Sequence, residues 1–324
     1  MTTTQTLPGI HHITAIAGDP QQNVDFYMGL LGLRLVKQTV NFDDPGSYHL
    51  YYGDELGRPG TIMTFFTWPG APRGQVGAGQ VGVTSFSIPA ASLDYWLERL
   101  AGAGVAVTQR DVRWGDQVLS FADGDGMPLE LIAASLPDDR PVWRDGPVPV
   151  EYAIRGFHAP TLYVPQAEPS HRLLTSVMGF RPVAEEDGRV RYTTGNGRPG
   201  DLVDLLVQPN RYGTQGAGTV HHIAWRTPDD AQELAWQEHL AQHGVPVTDV
   251  RDRQYFRSVY YREPGSILYE IATDVPGFAI DEAPDVLGAT LQLPPWLESR
   301  RAQIEAALPP IHLPLVGQPQ GATR

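Results

Sequence analysis

Four stretches of this chain of 324 residues repeat one grammar: a short strand, a polar turn, an amphipathic helix, a glycine, then more strands. They open with GIHHITAIAGDPQQNVDFYMGLLGLRLV at Gly9, GQVGVTSFSIPAASLDYWLERLAGAGVAV at Gly79, GFHAPTLYVPQAEPSHRLLTSVMGFRPV at Gly156 and GTVHHIAWRTPDDAQELAWQEHLAQHGVPV at Gly218. Repetition on a scale of roughly 60 to 70 residues limits the chain to architectures assembled from one supersecondary unit. In the second stretch Leu93, Trp96, Leu97 and Leu100 recur at helical spacing, and Pro89 precedes them, where a missing N–H costs nothing. Gly32, Gly104, Gly179 and Gly244 stand where helices end. Alternating β-branched and aromatic runs follow, such as YHLYYGDE, QVLSFADGDG, VRYTTGNG and SVYYREPGS. Each unit therefore reads as βαβββ, and the fold class is α+β.

Units one and three match best, as do two and four, which implies a two-unit half that was duplicated. The expected division is an N-terminal domain over 7–135 (modules one and two), a Pro- and Asp-rich linker over 136–152, and a C-terminal domain over 153–275 (modules three and four). An extension over 276–324 is expected to hold one helix, from about Pro295 to Leu308, and to fray in VGQPQGATR.

Composition removes several function classes. The formal net charge is −13 and no Lys/Arg cluster occurs, so neither nucleic acid nor an anionic membrane is an expected partner. Cysteine is absent, which excludes disulfides, a thiol nucleophile and thiolate metal sites. MTTTQTLPG shows no secretory pattern and no window approaches the roughly 18 apolar residues of a membrane span, so a cytoplasmic location is expected.

Ten histidines would give roughly a third of one HH doublet by chance, yet two doublets occur, and both open the first strand of a module. Strand alternation sends the members of each doublet to opposite faces, so one can point into a cavity while the other supports it. Repeat alignment pairs His12 with Ala159 and His11 with His158, and pairs His222 with Val83 and His221 with Gly82. An acid, Glu270, is embedded in the last strand of module four (SILYEIATD); its counterpart in module two, Glu130, lacks histidine partners and reads as a salt-bridged or lip residue. Two imidazoles and one carboxylate form the facial triad of non-haem metal enzymes, which leaves the opposite coordination positions open for substrate and O₂. Fe(II) is the leading metal, and Mn(II) suits the same ligands.

With these residues in hand, the sequence resembles the vicinal oxygen chelate (glyoxalase/bleomycin resistance/extradiol dioxygenase) superfamily, and within it the ring-cleaving dioxygenases typified by 2,6-dichlorohydroquinone 1,2-dioxygenase. HHIT, LGLRLVKQTVNFDDPGSYHLYYGDELGRPGTIMTFF, HHIAW and LPPWLESRRAQIEAALPP carry the likeness, over nearly the whole chain. It implies two pseudo-symmetric, cupped, β-barrel-like domains, with modules one and four closing around one cup. It implies His12, His222 and Glu270 as metal ligands, with His11, His221, Arg253 and Tyr260 as supporting and catalytic groups. The implied activity is extradiol-type insertion of both atoms of O₂ into a hydroquinone- or catechol-type diol.

A histidine could then take a proton from the diol, Arg253 could hold the phenolate, and Tyr260 could donate to the same oxygens. The alternatives are a glyoxalase-like isomerase or lyase, for which a second ligating carboxylate would argue, and a metal-free drug-binding protein. No motif decides whether the chain forms a homo-oligomer.

Overall fold

A computed structural model describes residues 6–314. The first five residues, at the start read as leaderless, and the end expected to fray over 316–324 lie outside the described residues.

The four modules form as the repeat predicts. Module one comprises β1 (Ile10–Ala17), α1 (Pro20–Val24), β2 (Arg34–Asn41), β3 (Asp44–Gly53) and β4 (Ile62–Thr67). Module two comprises β5 (Gln80–Pro89), α2 (Leu93–Gly102), β6 (Gln109–Arg113), β7 (Asp116–Ala122) and β8 (Pro128–Ala134). In module three the opening strand is split into β9 (Gly156–Phe157) and β10 (Thr161–Val164), because Pro160 has no N–H for the ladder. It continues with α3 (Ala167–Arg172), β11 (Arg181–Glu186), β12 (Arg189–Thr193) and β13 (Leu202–Val207). Module four holds β14 (Thr219–Thr227), α4 (Asp230–Gln242), β15 (Arg251–Asp252), β16 (Phe256–Arg262) and β17 (Leu268–Pro276).

The helices separate the modules as the sequence pairing did. Modules two and four carry regular α-helices, burying Leu93, Trp96 and Leu100 in one and Trp236 and Leu240 in the other. In modules one and three a π-helical stretch follows α1 over Asp25–Leu30 and α3 over Leu173–Val177, which the sequence reading did not anticipate. All four helix-ending glycines adopt left-handed φ, between 71° and 76°.

The strands do not pair in module order. One sheet runs β15-β16-β17-β14-β1-β4-β3-β2 and joins modules four and one, while the other runs β11-β12-β13-β10-β5-β8-β7-β6 and joins modules three and two. The seams are antiparallel, β1 on β14 and β10 on β5. Each sheet curls into a cup, giving the mixed α+β architecture of two half-barrels. Between Ala134 and Gly156 there is no helix or strand, but Val142, Trp143 and Val148 are buried and Arg140 donates to Phe157 O at 2.9 Å, so this stretch is packed down.

The extension after Pro276 is a built part of the first cup. Lys37 of β2, wholly buried, meets Asp281 at 2.6 Å and also Glu282. Gln38 forms a bridge with Leu291, and its side chain donates to Gly288 O at 2.7 Å. The extension thereby covers the unpaired edge of β2. Its helix, α5 (Arg301–Ala307), is shorter than the expected span, because a 3₁₀ turn over Glu298–Arg300 precedes it.

Two predictions follow from this packing. Lys37→Met would strand two carboxylates, at a cost of about 3 kcal/mol; limited proteolysis should then cut after Pro276 faster than in the wild type. Glu233 of α4 is buried with both carboxylate oxygens unpartnered among the described residues, and burial, followed by Asp230, pushes it up to about 7. The folded state thus holds its proton over the range from 4.5 to 7 in which the unfolded state has lost it, so stability is present at low pH and is lost as pH rises through 7. Glu233→Gln should melt like wild type at about pH 4 and gain on the order of 2 kcal/mol at about pH 8.

Candidate metal centre

The seam between β1 and β14 sets the site. His12 pairs with Ala224 across the seam, and Ala224 pairs with Glu270 of β17, so an imidazole, a methyl and a carboxylate form one row across the cup. His222 lies two residues before Ala224 and so shares its face. The small side chain at Ala224 leaves the larger ones room to converge above it. His12 Nε2 lies 3.2 Å from His222 Nε2 and 3.4 Å from Glu270 Oε2, and His222 Nε2 lies 2.8 Å from Glu270 Oε2. Ligand atoms around an ion with bonds of about 2.1 Å stand about 3.0 Å apart at octahedral cis positions and about 3.4 Å apart at tetrahedral ones. The triangle therefore fits a divalent cation, and these three residues can hold a metal ion.

Two further observations support the fit. Glu270 is fully buried, and its Oε2 has no aligned hydrogen-bond donor despite the two imidazoles beside it. Ser258 donates to the other oxygen, Oε1. Burial pushes the Glu270 carboxyl up, but His12 and His222 outweigh it and hold it well below the usual range, so it is anionic. His222 is itself lowered, first by burial. An anion and a neutral imidazole crowded in a dry cup are the donor set of a mixed N/O metal site, and a buried carboxylate is costly without a cation.

His11 lies behind His12, outside the cavity. Its Nε2 donates to Thr273 O at 3.1 Å, and its Nδ1 lies 2.8 Å from His12 Nδ1. Burial, then the neighbouring His12, keeps it well below 6.5 and therefore neutral, so its Nδ1 accepts from His12 Nδ1–H. That proton placement leaves the lone pair of His12 on Nε2, facing His222 and Glu270. On the other strand, His221 Nδ1 lies 2.7 Å from His222 Nδ1. Burial, then His222, lowers His221 to about 3.

A cavity of about 260 Å³ opens over the three residues, lined by Phe42, His49, Tyr51, Phe66, His221, Arg253, Phe256 and Tyr260 among others. Arg253 Nε donates to Tyr260 Oη at 3.1 Å, and its Nη1 reaches Asp43 at 3.3 Å. Tyr260 and Glu270, then Asp43, oppose the burial of Arg253 and keep it charged, while burial keeps the Tyr260 phenol protonated. The seven site residues expected from sequence thus come together around one point. Arg253, Tyr260 and His221 line the cavity, and His11 stands behind it.

Sequence reasoning missed His49 and Tyr51. Tyr51, kept protonated by burial, donates to His49 Nδ1 at 2.8 Å, His49 Nε2 donates to Thr64 Oγ1 at 2.9 Å, and Thr64 donates to Thr14 at 2.8 Å. Alternation in YHLYYG placed both side chains on one face of β3, but the hydrophobic neighbours hid which face it was. Phe42 at the mouth packs edge-on against Trp296 of the extension, with ring centres 5.6 Å apart.

Comparison with known proteins bears on the family and the fold. The sequence profile of the glyoxalase/bleomycin resistance protein/dioxygenase superfamily matches residues 9–131 and 156–280. MhqO of Bacillus subtilis (strain 168), named as a candidate ring-cleaving dioxygenase, is 50% identical over 305 residues, covering 94% of this chain and 97% of that protein. The chlorohydroquinone/hydroquinone 1,2-dioxygenase of Sphingobium indicum is 35% identical, covering 91% and 94%. A crystal structure of a candidate dioxygenase from Bacillus subtilis superposes with a TM-score of 0.91 at 48% identity, covering 96% of this chain and 99% of that one.

The wild-type chain should bind about one Fe(II) per molecule, read by elemental analysis after gel filtration. Glu270→Gln and His12→Ala should lose it while keeping their circular dichroism, and His11→Phe, which frees the His12 tautomer, should bind about 10- to 100-fold more weakly. Stoichiometric iron in His12→Ala would remove it from the ligand set.

Proposed function

The chain belongs to the glyoxalase/bleomycin resistance protein/dioxygenase superfamily, and from that premise we propose that it is an Fe(II)-dependent dioxygenase that cleaves the ring of a hydroquinone-type diol. The observation that carries this reading is the triangle of His12, His222 and Glu270 at the floor of a cavity sized for a single ring. The names of two relatives, one a ring-cleaving dioxygenase and one acting on chlorohydroquinone or hydroquinone, support the substrate class. Among the described residues the cluster holds one carboxylate; Asp43, the other acid at the cavity, is exposed and paired with Arg253. That favours oxygen chemistry over the isomerase reading, which calls for a second carboxylate ligand.

A metal held by His12, His222 and Glu270 would acidify a bound phenol and activate dioxygen, and Mn(II) would suit the same donors. The chain's own residues do the rest. The aromatic walls, Phe42, Phe66 and Phe256, exclude water and fix the plane of the ring. Arg253, fixed in position by Tyr260, places a permanent positive charge where the phenolate and the oxygen anion develop. With a cation below, His222 Nε2 carries no proton, so His222 Nδ1–H donates to His221 Nδ1. His221 then holds its own proton on Nε2 and can donate to the diol oxygen. His11 acts through His12 as a positioning residue. Both oxygen atoms of O₂ enter the ring-opened acid, and no external reductant is consumed.

Protein purified anaerobically and loaded with Fe(II) should take up about one O₂ per chlorohydroquinone consumed, with much slower uptake on catechol. Arg253→Met should keep its iron and lose about 100-fold or more in kcat/KM. Full iron loading without uptake on either diol would overturn the reading.

A further inference from the structure

The second cup repeats the first, register for register, with different side chains. Thr161 pairs with Val83 as Thr14 pairs with His222, and Ser85 pairs with Glu130 as Ala224 pairs with Glu270. Arg191 faces Asp204 where Tyr51 faces Thr64, and Arg189 faces Leu206 where His49 faces Phe66. Two residues beyond Asp111, which pairs with Val118, comes Arg113, the counterpart of Arg253. Ala159 and Val83 have replaced both imidazoles, and Glu130 spends both oxygens on Arg113, at 3.0 Å each. A metal has nothing to hold it here. Nevertheless a cavity of about 390 Å³ persists, lined by Val83, Arg113, Trp114, Tyr163, Arg189 and Leu206 among others.

At the floor of this cup the ions do not cancel. Arg113 is paired with Glu130, and Arg191 with Asp204 at 2.7 and 2.9 Å. Arg189 is left over. Its Nη1 touches Thr161 and, at 3.4 Å, the already paired Asp204, whereas its Nε and Nη2 have no partner among the described residues. Its side chain is 14% exposed, opening on the cavity, and burial and then Arg113 lower its pKa. A half-free guanidinium in a largely dry cup is the group a carboxylate pairs with. Beside it, the Trp114 ring lies 4.1 Å from the Arg191 guanidinium carbon, and Val83 and Leu206 add apolar wall. Asp111, Glu186 and Asp187 stand exposed at the mouth, a negative rim that admits a single charge more readily than a phosphate dianion.

We infer that the second cup binds a small monocarboxylate with a flat apolar body, its carboxylate on Arg189 and its body against Val83 and Trp114. This site is separate from the proposed metal centre and does not depend on its chemistry. The test is calorimetric titration of the metal-loaded full chain with benzoate and with benzamide, the neutral isostere. Benzoate should bind with a dissociation constant on the order of 1 mM or tighter, and benzamide at least about tenfold more weakly. Arg189→Met should lose benzoate, and so should Val83→Trp, which fills the cavity without touching a charge. Glu270→Gln, altered only in the first cup and titrated without metal, should keep it. Binding that survives Arg189→Met and Val83→Trp, or that disappears in Glu270→Gln, would overturn the assignment. So would the absence of saturable heat at about 20 mM benzoate, which would leave the arginines as a structural ion-pair network.

Discussion

The antiparallel seam between β1 and β14 is the contact on which the rest of the centre depends. It joins the first module of the chain to the last, more than two hundred residues apart in sequence, and sets the register that places His12 and Glu270 on either side of Ala224. Strand pairing has a side-chain period of two, so a slip of one residue would turn every inward group outward and replace His12 and His222 by His11 and His221. The doublets make such a slip chemically ambiguous, and what removes the ambiguity is burial behind the sheet. Ile13, Ile223 and Trp225 are fully buried in the main core and cannot exchange faces with the polar cup.

A buried carboxylate flanked by imidazoles is an electrostatic debt until a cation arrives, and the surroundings hold it in place meanwhile. Ser258 takes one oxygen of Glu270, and Thr273 fixes His11, which fixes His12. This chain of backbone carbonyl, supporting histidine and ligating histidine leaves each proton one place to sit. The extension completes the enclosure from the other side. Phe278 packs on Tyr51 and Tyr255, and Lys37 ties the strand edge to Asp281 and Glu282. Residues after Pro276 therefore shape the wall and mouth of the cavity.

The modules and their order were legible from repetition, as were the two histidine doublets and Glu270, whereas the choice of ligating histidines and the roles of Arg253 and Tyr260 came from the resemblance. Ala159 opposite a retained His158 set His12 apart from His11, but Val83 and Gly82 both differ from their counterparts and left His221 and His222 undistinguished. The parts that stayed hidden depend on long-range pairing or on face. His49 and Tyr51 lie in an aromatic strand whose two faces are both buried, so alternation gave the period without the direction. The π-helical stretches after α1 and α3 have no local residue signal, since an extra residue in a turn leaves the apolar pattern almost unchanged. The helix of the extension was read too long because the proline pair at 294–295 permits a 3₁₀ entry before the α-helix begins.

The two cups form an internal comparison, one scaffold furnished twice. In the first, two imidazoles and a carboxylate converge on a centre that calls for a cation; in the second, guanidinium groups answer both acids at the floor and leave one positive charge over there. The glutamate stands at the same register position in both and differs only in its partner. Glu270 has Ser258 and two imidazoles, while Glu130 has Ser85 at 2.8 Å and the fork of Arg113. Removing two histidines from such a cup would strand its acid, and a counter-cation is the least disruptive compensation. Arg113 supplies it in the second cup from the register position that Arg253 holds beside Tyr260 in the first. A metal ion in the first cup and the guanidinium fork in the second would thus be two answers to one buried carboxylate.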